Sequence, residues 1–133
     1  LGDVYKRQFP VYAIDYVSDE KQMARLYNAV DAYVTPSLED NLPNTIVEAL
    51  SCGVPCVGFN VGGIPEMIDH RKNGYLAEAR NAEDLAEGIR FILETASREE
   101  LSAHAVHSAL ANYGETNVAS KYIAVYKRAS EKR

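Results

Sequence analysis

The chain has 133 residues, with 14 Lys and Arg against 19 Asp and Glu and a formal charge of −5. Hydrophobic residues make up 47% and charged residues 25%, as in a globular domain long enough to bury a core. The acidic balance argues against a nucleic-acid partner, because no basic patch is available to neutralise phosphates. A small anionic ligand stays open, since backbone N–H groups and helix ends bind one locally.

The opening Leu1–Gln8 lacks the basic-then-apolar order of a signal peptide. It is expected to be a non-native tail preceding a truncated piece and is set aside. Val11–Tyr16 is predicted as a first strand. Ser18 is predicted to cap a helix whose apolar stripe is Met23, Leu26, Tyr27 and Val30. Ala32–Thr35 is a second strand, stopped by Pro36. A polar loop leads to a helix over Thr45–Cys52, ended by Gly53. Val54–Phe59 is an apolar strand of the kind buried on both faces. Gly62-Gly63 turn the chain, Pro65–Ile68 is a short helix, and Asn73-Gly74 turn it again before a strand at Tyr75-Leu76.

Asn81 is placed to cap a helix whose buried stripe is Leu85, Ile89, Ile92 and Leu93. Ser97 with Glu100 forms a capping box for the next. The last helix runs over Glu115–Glu131, with Val118, Tyr122, Val125 and Ala129 on one face. Strands alternating with helices predict an α/β fold, a truncated Rossmann-like parallel sheet flanked by helices. Ligands of such sheets bind at the carboxyl ends of the strands, where the Asp40–Asn44 loop and the Gly62-Gly63 turn both fall.

Two cysteines, Cys52 and Cys56, make neither a disulfide framework nor a four-ligand zinc site. They suit a reducing compartment and are expected to pack as small hydrophobes. His104 and His107 share a helix without a third ligand, so no metal is expected. His70, Arg71 and Lys72 read as a solvated turn. No apolar run approaches a membrane span.

The richest segment is Pro36–Gly53. At 100° per residue, Ile46, Val47 and Leu50 share one helix face, and Thr45, Glu48, Ala49 and Cys52 the opposite one. Glu48 is then an acid in mid-helix, and Asp40 an acid in the loop ahead. A diphosphate at the helix start, with hydroxyl-bearing rings on either side, would match this order. The same residues read equally as a solvated surface acid and a turn residue.

The run Thr35-Pro36-Ser37-Leu38-Glu39-Asp40-Asn41-Leu42-Pro43-Asn44-Thr45-Ile46-Val47-Glu48-Ala49-Leu50 resembles the donor-site motif of retaining glycosyltransferases of the two-Rossmann GT-B fold. It is most similar to glycosyltransferase family 4, the group 1 transferase domain. That motif is an acid, seven residues, then Glu, followed by Ala and a large apolar residue. The likeness continues through Cys52–Val57, Gly62–Glu66 and Asn73–Leu76, covering Tyr12 to Leu93.

The resemblance implies that Glu48 hydrogen-bonds the donor ribose and Asp40 faces the transferred sugar; these two are the catalytic candidates. It implies a donor-contacting loop at Asn41, Leu42, Pro43 and Asn44, with Thr45 and Ile46 nearest the diphosphate. Val17 would meet the nucleobase through its backbone. The family's first acid is usually Glu, and its Gly-Phe-Gly is here Asn41-Leu42-Pro43, so the donor sugar stays unassigned.

The implied function is transfer of a sugar from a nucleotide-diphosphate sugar to an acceptor hydroxyl. The nucleotide sugar is the donor substrate, and there is no separate cofactor and no bound metal. A partial nucleotide-sugar-binding domain is expected over residues 9–112, with a C-terminal helix over 113–133. In the family that helix packs across a first, acceptor-binding domain, expected to be missing here together with a basic pair, so this piece is expected to be inactive alone. The resemblance places the whole enzyme in the cytoplasm, with room for peripheral contact at the inner membrane face. A non-catalytic nucleotide-sugar-binding module and a related GT-B epimerase are the competing readings.

Overall fold

A computed structural model describes residues 10–130. The tail at Leu1–Gln8 and the helix end at Glu131 lie outside the described residues. Helix α1 spans Glu20–Asn28, strand β1 Tyr33–Thr35, helix α2 Asn44–Ser51 and strand β2 Cys56–Phe59. Helix α3 follows at Ile64–Met67, strand β3 at Gly74–Ala77 and helix α4 at Ala82–Arg90. A π-helical turn at Phe91–Thr95 leads to α5, Arg98–Tyr113, and α6, Glu115–Ser130.

Among the described residues the strands form one parallel sheet in the order β1-β2-β3. Tyr33 is opposite Cys56 and Thr35 opposite Gly58; Cys56 is opposite Gly74 and Phe59 opposite Ala77. All four residues of β2 are buried, as its unbroken apolar run requires between two helical layers. Cys56 faces a core with Tyr27, Ile46, Ala49, Leu50, Ile64, Met67, Ile68, Ala105 and Ala109. Val57 and Phe59 face a second core with Tyr75, Ala77, Ile92 and Leu101.

Several expected elements differ. Val11–Tyr16 is not a strand, and its Tyr12 and Tyr16 are exposed. Its alternation suits a strand, but among the described residues it has no ladder to join: β1 pairs with β2 alone. The cap of α1 is Asp19 rather than Ser18, accepting from the Gln22 N–H at 3.2 Å. Leu93 is exposed while Ile92 is buried, because the π turn breaks the 3.6-residue phase of α4. In α2 the buried face is Ile46, Ala49 and Leu50, with Val47 half-buried. Ala49 turns inward because α5 covers that side of α2, and Ala49 shares its cluster with Ala105 and Ala109.

The predicted caps at Asn81 and Ser97 form: each side chain accepts from the N–H three residues on. Gly53 ends α2 with φ +74°, the left-handed C-cap conformation that glycine adopts without penalty. Asn73 is more than a turn residue. It is buried, its Oδ1 accepts from the Asp69 N–H at 2.7 Å, and its Nδ2 donates to the Met67 carbonyl and the Ser108 hydroxyl. It ties the entry of β3 to the end of α3 and to α5. Helix α6 buries none of its residues, and Tyr122, Ile123, Val125 and Tyr126 are exposed. Among the described residues no helix is long and apolar enough to cross a membrane.

At the end of β3, Asp84 accepts from the Glu78 N–H at 2.6 Å and from the Tyr75 hydroxyl at 2.8 Å. These bonds, the backbone one first, hold the Asp84 carboxyl below its usual value of 3.8. A carboxyl held low in the folded state stabilises fully above its unfolded pKa, and that stability is lost as pH falls through the folded value. Asp84→Asn should therefore melt below the native chain near neutral pH, with the gap closing progressively as pH falls below the usual carboxylate value of 3.8. Thermal unfolding across that range checks this; a gap independent of pH would contradict it.

Candidate functional site

The site is built on the carboxyl edge of the sheet. The chain leaves β1 at Thr35, crosses Pro36–Pro43 and enters α2. Pro43 occupies the N-cap position without a side-chain hydrogen bond. Ile46 N–H donates to the Pro43 carbonyl at 3.1 Å. Among the described residues the N–H groups of Asn44 and Thr45 find no acceptor. An uncapped helix start presents orphan donors and a partial positive charge outward.

One turn further, Glu48 projects from the exposed side of α2. Its Oε2 accepts from the Tyr27 hydroxyl of α1 at 3.0 Å. The two helices and the segment before α1 enclose a cleft of about 490 Å³, in whose walls Val17, Tyr27, Val47, Glu48 and Cys52 meet. Tyr27 is 6% exposed, and its ring lies edge-on to that of Tyr33 at 6.0 Å. Burial, then the Glu48 carboxylate, pushes the Tyr27 phenol well above its ordinary range. It is a donor at every physiological pH. Burial and Glu48 also raise the Cys52 thiol, which removes the thiolate character a reactive cysteine needs.

Of the sequence-predicted residues, the structure brings Val17 and Glu48 to this cleft. Asp40, Asn41, Leu42, Pro43, Asn44, Thr45 and Ile46 are outside its walls, in the loop and at the helix start. Ile46 is fully buried, so its side chain packs the core. Asp40 is half-buried, and its carbonyl accepts from the Gly63 N–H at 3.0 Å. The Gly62-Gly63 turn thus presses on the loop itself: a methyl on Gly62 would strike the Asp40 carbonyl, and one on Gly63 the Asn41 carbonyl. The close approach at this turn is between two backbone segments.

Tyr27 was hidden in the sequence as one position of an apolar stripe; a hydroxyl on that stripe, facing a buried layer, is the signal that marks it. Among the described residues no group of three or more His, Cys, Asp or Glu could hold a metal ion. His104 and His107 are exposed.

The family model described as "Glycosyl transferases group 1" matches residues 10–108. The chain belongs to the group 1 glycosyl transferases. This transferase domain is 32% identical over 117 residues to the N,N'-diacetylbacillosaminyl-diphospho-undecaprenol alpha-1,3-N-acetylgalactosaminyltransferase of Campylobacter jejuni, covering 87% of this chain and 31% of that protein. Among solved structures, it is similar to Anabaena HepE in complex with UDP, with a TM-score of 0.71 and 24% identity over 78% of this chain and 29% of the other. It is also similar to sucrose-phosphate synthase from Thermosynechococcus elongatus, with a TM-score of 0.73 and 23% identity over 85% and 29% of the two chains. The architecture is the Rossmann-like α/β domain of a GT-B glycosyltransferase. The transferase domain spans about three tenths of the length of the curated relatives it matches.

Proposed function

We propose that the chain is the donor-binding part of a retaining glycosyltransferase of family 4, which moves a sugar from a nucleoside-diphosphate sugar to an acceptor hydroxyl. The observation that carries this reading is Glu48: a carboxylate at the wall of a cleft, one turn beyond a helix start whose Asn44 and Thr45 amides find no acceptor among the described residues. In this reading Glu48 accepts from the ribose hydroxyls, and the backbone at Val17 meets the base. Asn44, Thr45 and Ile46 lie nearest the diphosphate. Asn41, Leu42 and Pro43 border the transferred sugar, and Asp40 faces it.

The chemical need is stabilisation of a leaving group. As the bond from the anomeric carbon to the diphosphate oxygen breaks, the electron pair departs with the nucleoside diphosphate. Preorganised N–H dipoles are most effective where that charge develops. The cleft wall offers two acids, Glu20 and Glu48, and no Lys or Arg, so further positive charge has to come from elsewhere in the whole enzyme. Residues 9–112 would form the donor-binding unit and 113–133 a C-terminal helical extension, with an acceptor-binding domain of the same enzyme completing the site. The working compartment in this reading is the cytoplasm, with peripheral contact at the inner membrane face.

Isothermal calorimetry of the chain with UDP, GDP and ADP tests the reading. One of the three should bind, and the corresponding sugar nucleotide should not be turned over by the isolated chain. Binding of none would contradict the donor site. Turnover would contradict the need for a second domain.

A further inference from the structure

Glu48 has a flexible side chain at the exposed surface of α2, and an acceptor of that kind loses rotamer freedom when it grips a ligand. Tyr27 removes that freedom beforehand. Its ring is buried against Tyr33, and its hydroxyl donates to Oε2 of Glu48 at 3.0 Å. No other hydrogen bond of that hydroxyl occurs among the described residues. The donor comes from α1 and the acceptor from α2, 21 residues apart, so the bond also fixes the width of the cleft both helices line.

We infer that Tyr27 is a positioning residue: it holds one oxygen of Glu48 so that the other is presented, pre-oriented, to vicinal hydroxyls of a nucleotide ribose. The inference rests on the donor-site reading of Glu48 and goes beyond it by assigning the selection for a ribose diol to a residue that does not itself contact the sugar. Tyr27 is suited to this because a buried phenol held above its ordinary range stays protonated and can only donate toward the carboxylate. A neutral phenol also leaves the charge of Glu48 in place, where a lysine would cancel it.

The test is calorimetry of the full chain with UDP, GDP and ADP and with their 2′,3′-dideoxy counterparts, for the native chain, Tyr27→Phe, Glu48→Gln and the double variant. Tyr27→Phe keeps the ring and its packing, and circular dichroism reports that the fold is retained. The expected result is about a tenfold loss of affinity for the preferred nucleotide, with little change for its dideoxy form, so that discrimination between them collapses. In the Glu48→Gln background, Tyr27→Phe should cost less than in the native chain, because the two residues act through one side chain.

A merely structural Tyr27 would weaken both nucleotides equally and leave the discrimination ratio intact; that result overturns the inference. If Tyr27→Phe keeps the native ratio while Glu48→Gln abolishes it, the inference fails and the donor site stands. If Glu48→Gln also keeps the native ratio, or no nucleotide binds, the donor-site reading fails and takes the inference with it.

Discussion

Gly63→Ala should lower the thermal midpoint by roughly 5–10 °C, the consequence of about 1–3 kcal/mol of overpacking, and should open the Ser37–Asn44 loop to proteolysis. Gly63 has no unusual backbone dihedral to protect: it precedes α3 with φ −91°. The constraint is spatial. A Cβ there would enter the van der Waals envelope of the Asn41 carbonyl, with Leu42 behind it at 3.1 Å. The obstacle is backbone, which cannot rotate aside as a side-chain tip does. The loop must retreat, and the Gly63 N–H bond to the Asp40 carbonyl breaks with it.

The loss would reach the proposed donor site, since the displaced residues lead straight into the start of α2. Misplacing groups at a site by about an ångström is enough to cost large factors in function. Differential scanning fluorimetry and limited proteolysis check this. A variant melting within a degree of the native chain, with the loop still protected, would show that the diglycine turn does not pin it.

What the sequence makes legible is what local signals encode. The break at Pro36, the Gly53 C-cap, the apolar run of β2 and the caps at Asn81 and Ser97 each act over a few residues, and each element forms within a residue or two of its expected place. Features that depend on a distant partner do not show. Val11–Tyr16 has the alternation of a strand, but a strand exists only in a ladder. Ala49 lies on the face expected to oppose Ile46 and Leu50, yet it is buried because α5, from Arg98 on, comes to cover it. Leu93 is displaced by a π turn that nothing in its composition announces. Asn73 reads as half of a turn dipeptide, and its buried bond to Ser108 crosses 35 residues.

The site follows the same division. Asp40, the loop and Glu48 lie within nine residues, so spacing along a loop and one helix is enough to suggest them together. Their resemblance to a donor motif agrees with the family to which the chain belongs. Val17 is the exception, a distant position suggested by resemblance and found at the wall of the Glu48 cleft. Tyr27 and the loop-clamping role of Gly62-Gly63 are tertiary facts. Neither a tyrosine in a helical stripe nor a glycine pair in a turn says which backbone or carboxylate it will meet.

The second large effect is expected at Glu48. Glu48→Ala should weaken the preferred nucleotide by about 1–3 kcal/mol, roughly 10- to 100-fold, the scale of hydrogen bonds to a charged group. Part of any change in melting would come from the Tyr27 hydroxyl, which loses its acceptor inside a buried layer. Glu48→Gln separates the two, because its amide oxygen still accepts from Tyr27 while the negative charge is gone. Calorimetric titration of the native chain, Glu48→Ala and Glu48→Gln against UDP, GDP and ADP is the most direct measurement of the account. It predicts one tight nucleotide for the native chain, a 10- to 100-fold loss for Glu48→Ala and an intermediate loss for Glu48→Gln. Equal affinities in all three proteins would contradict the account, because a carboxylate whose removal costs nothing does not hold the donor.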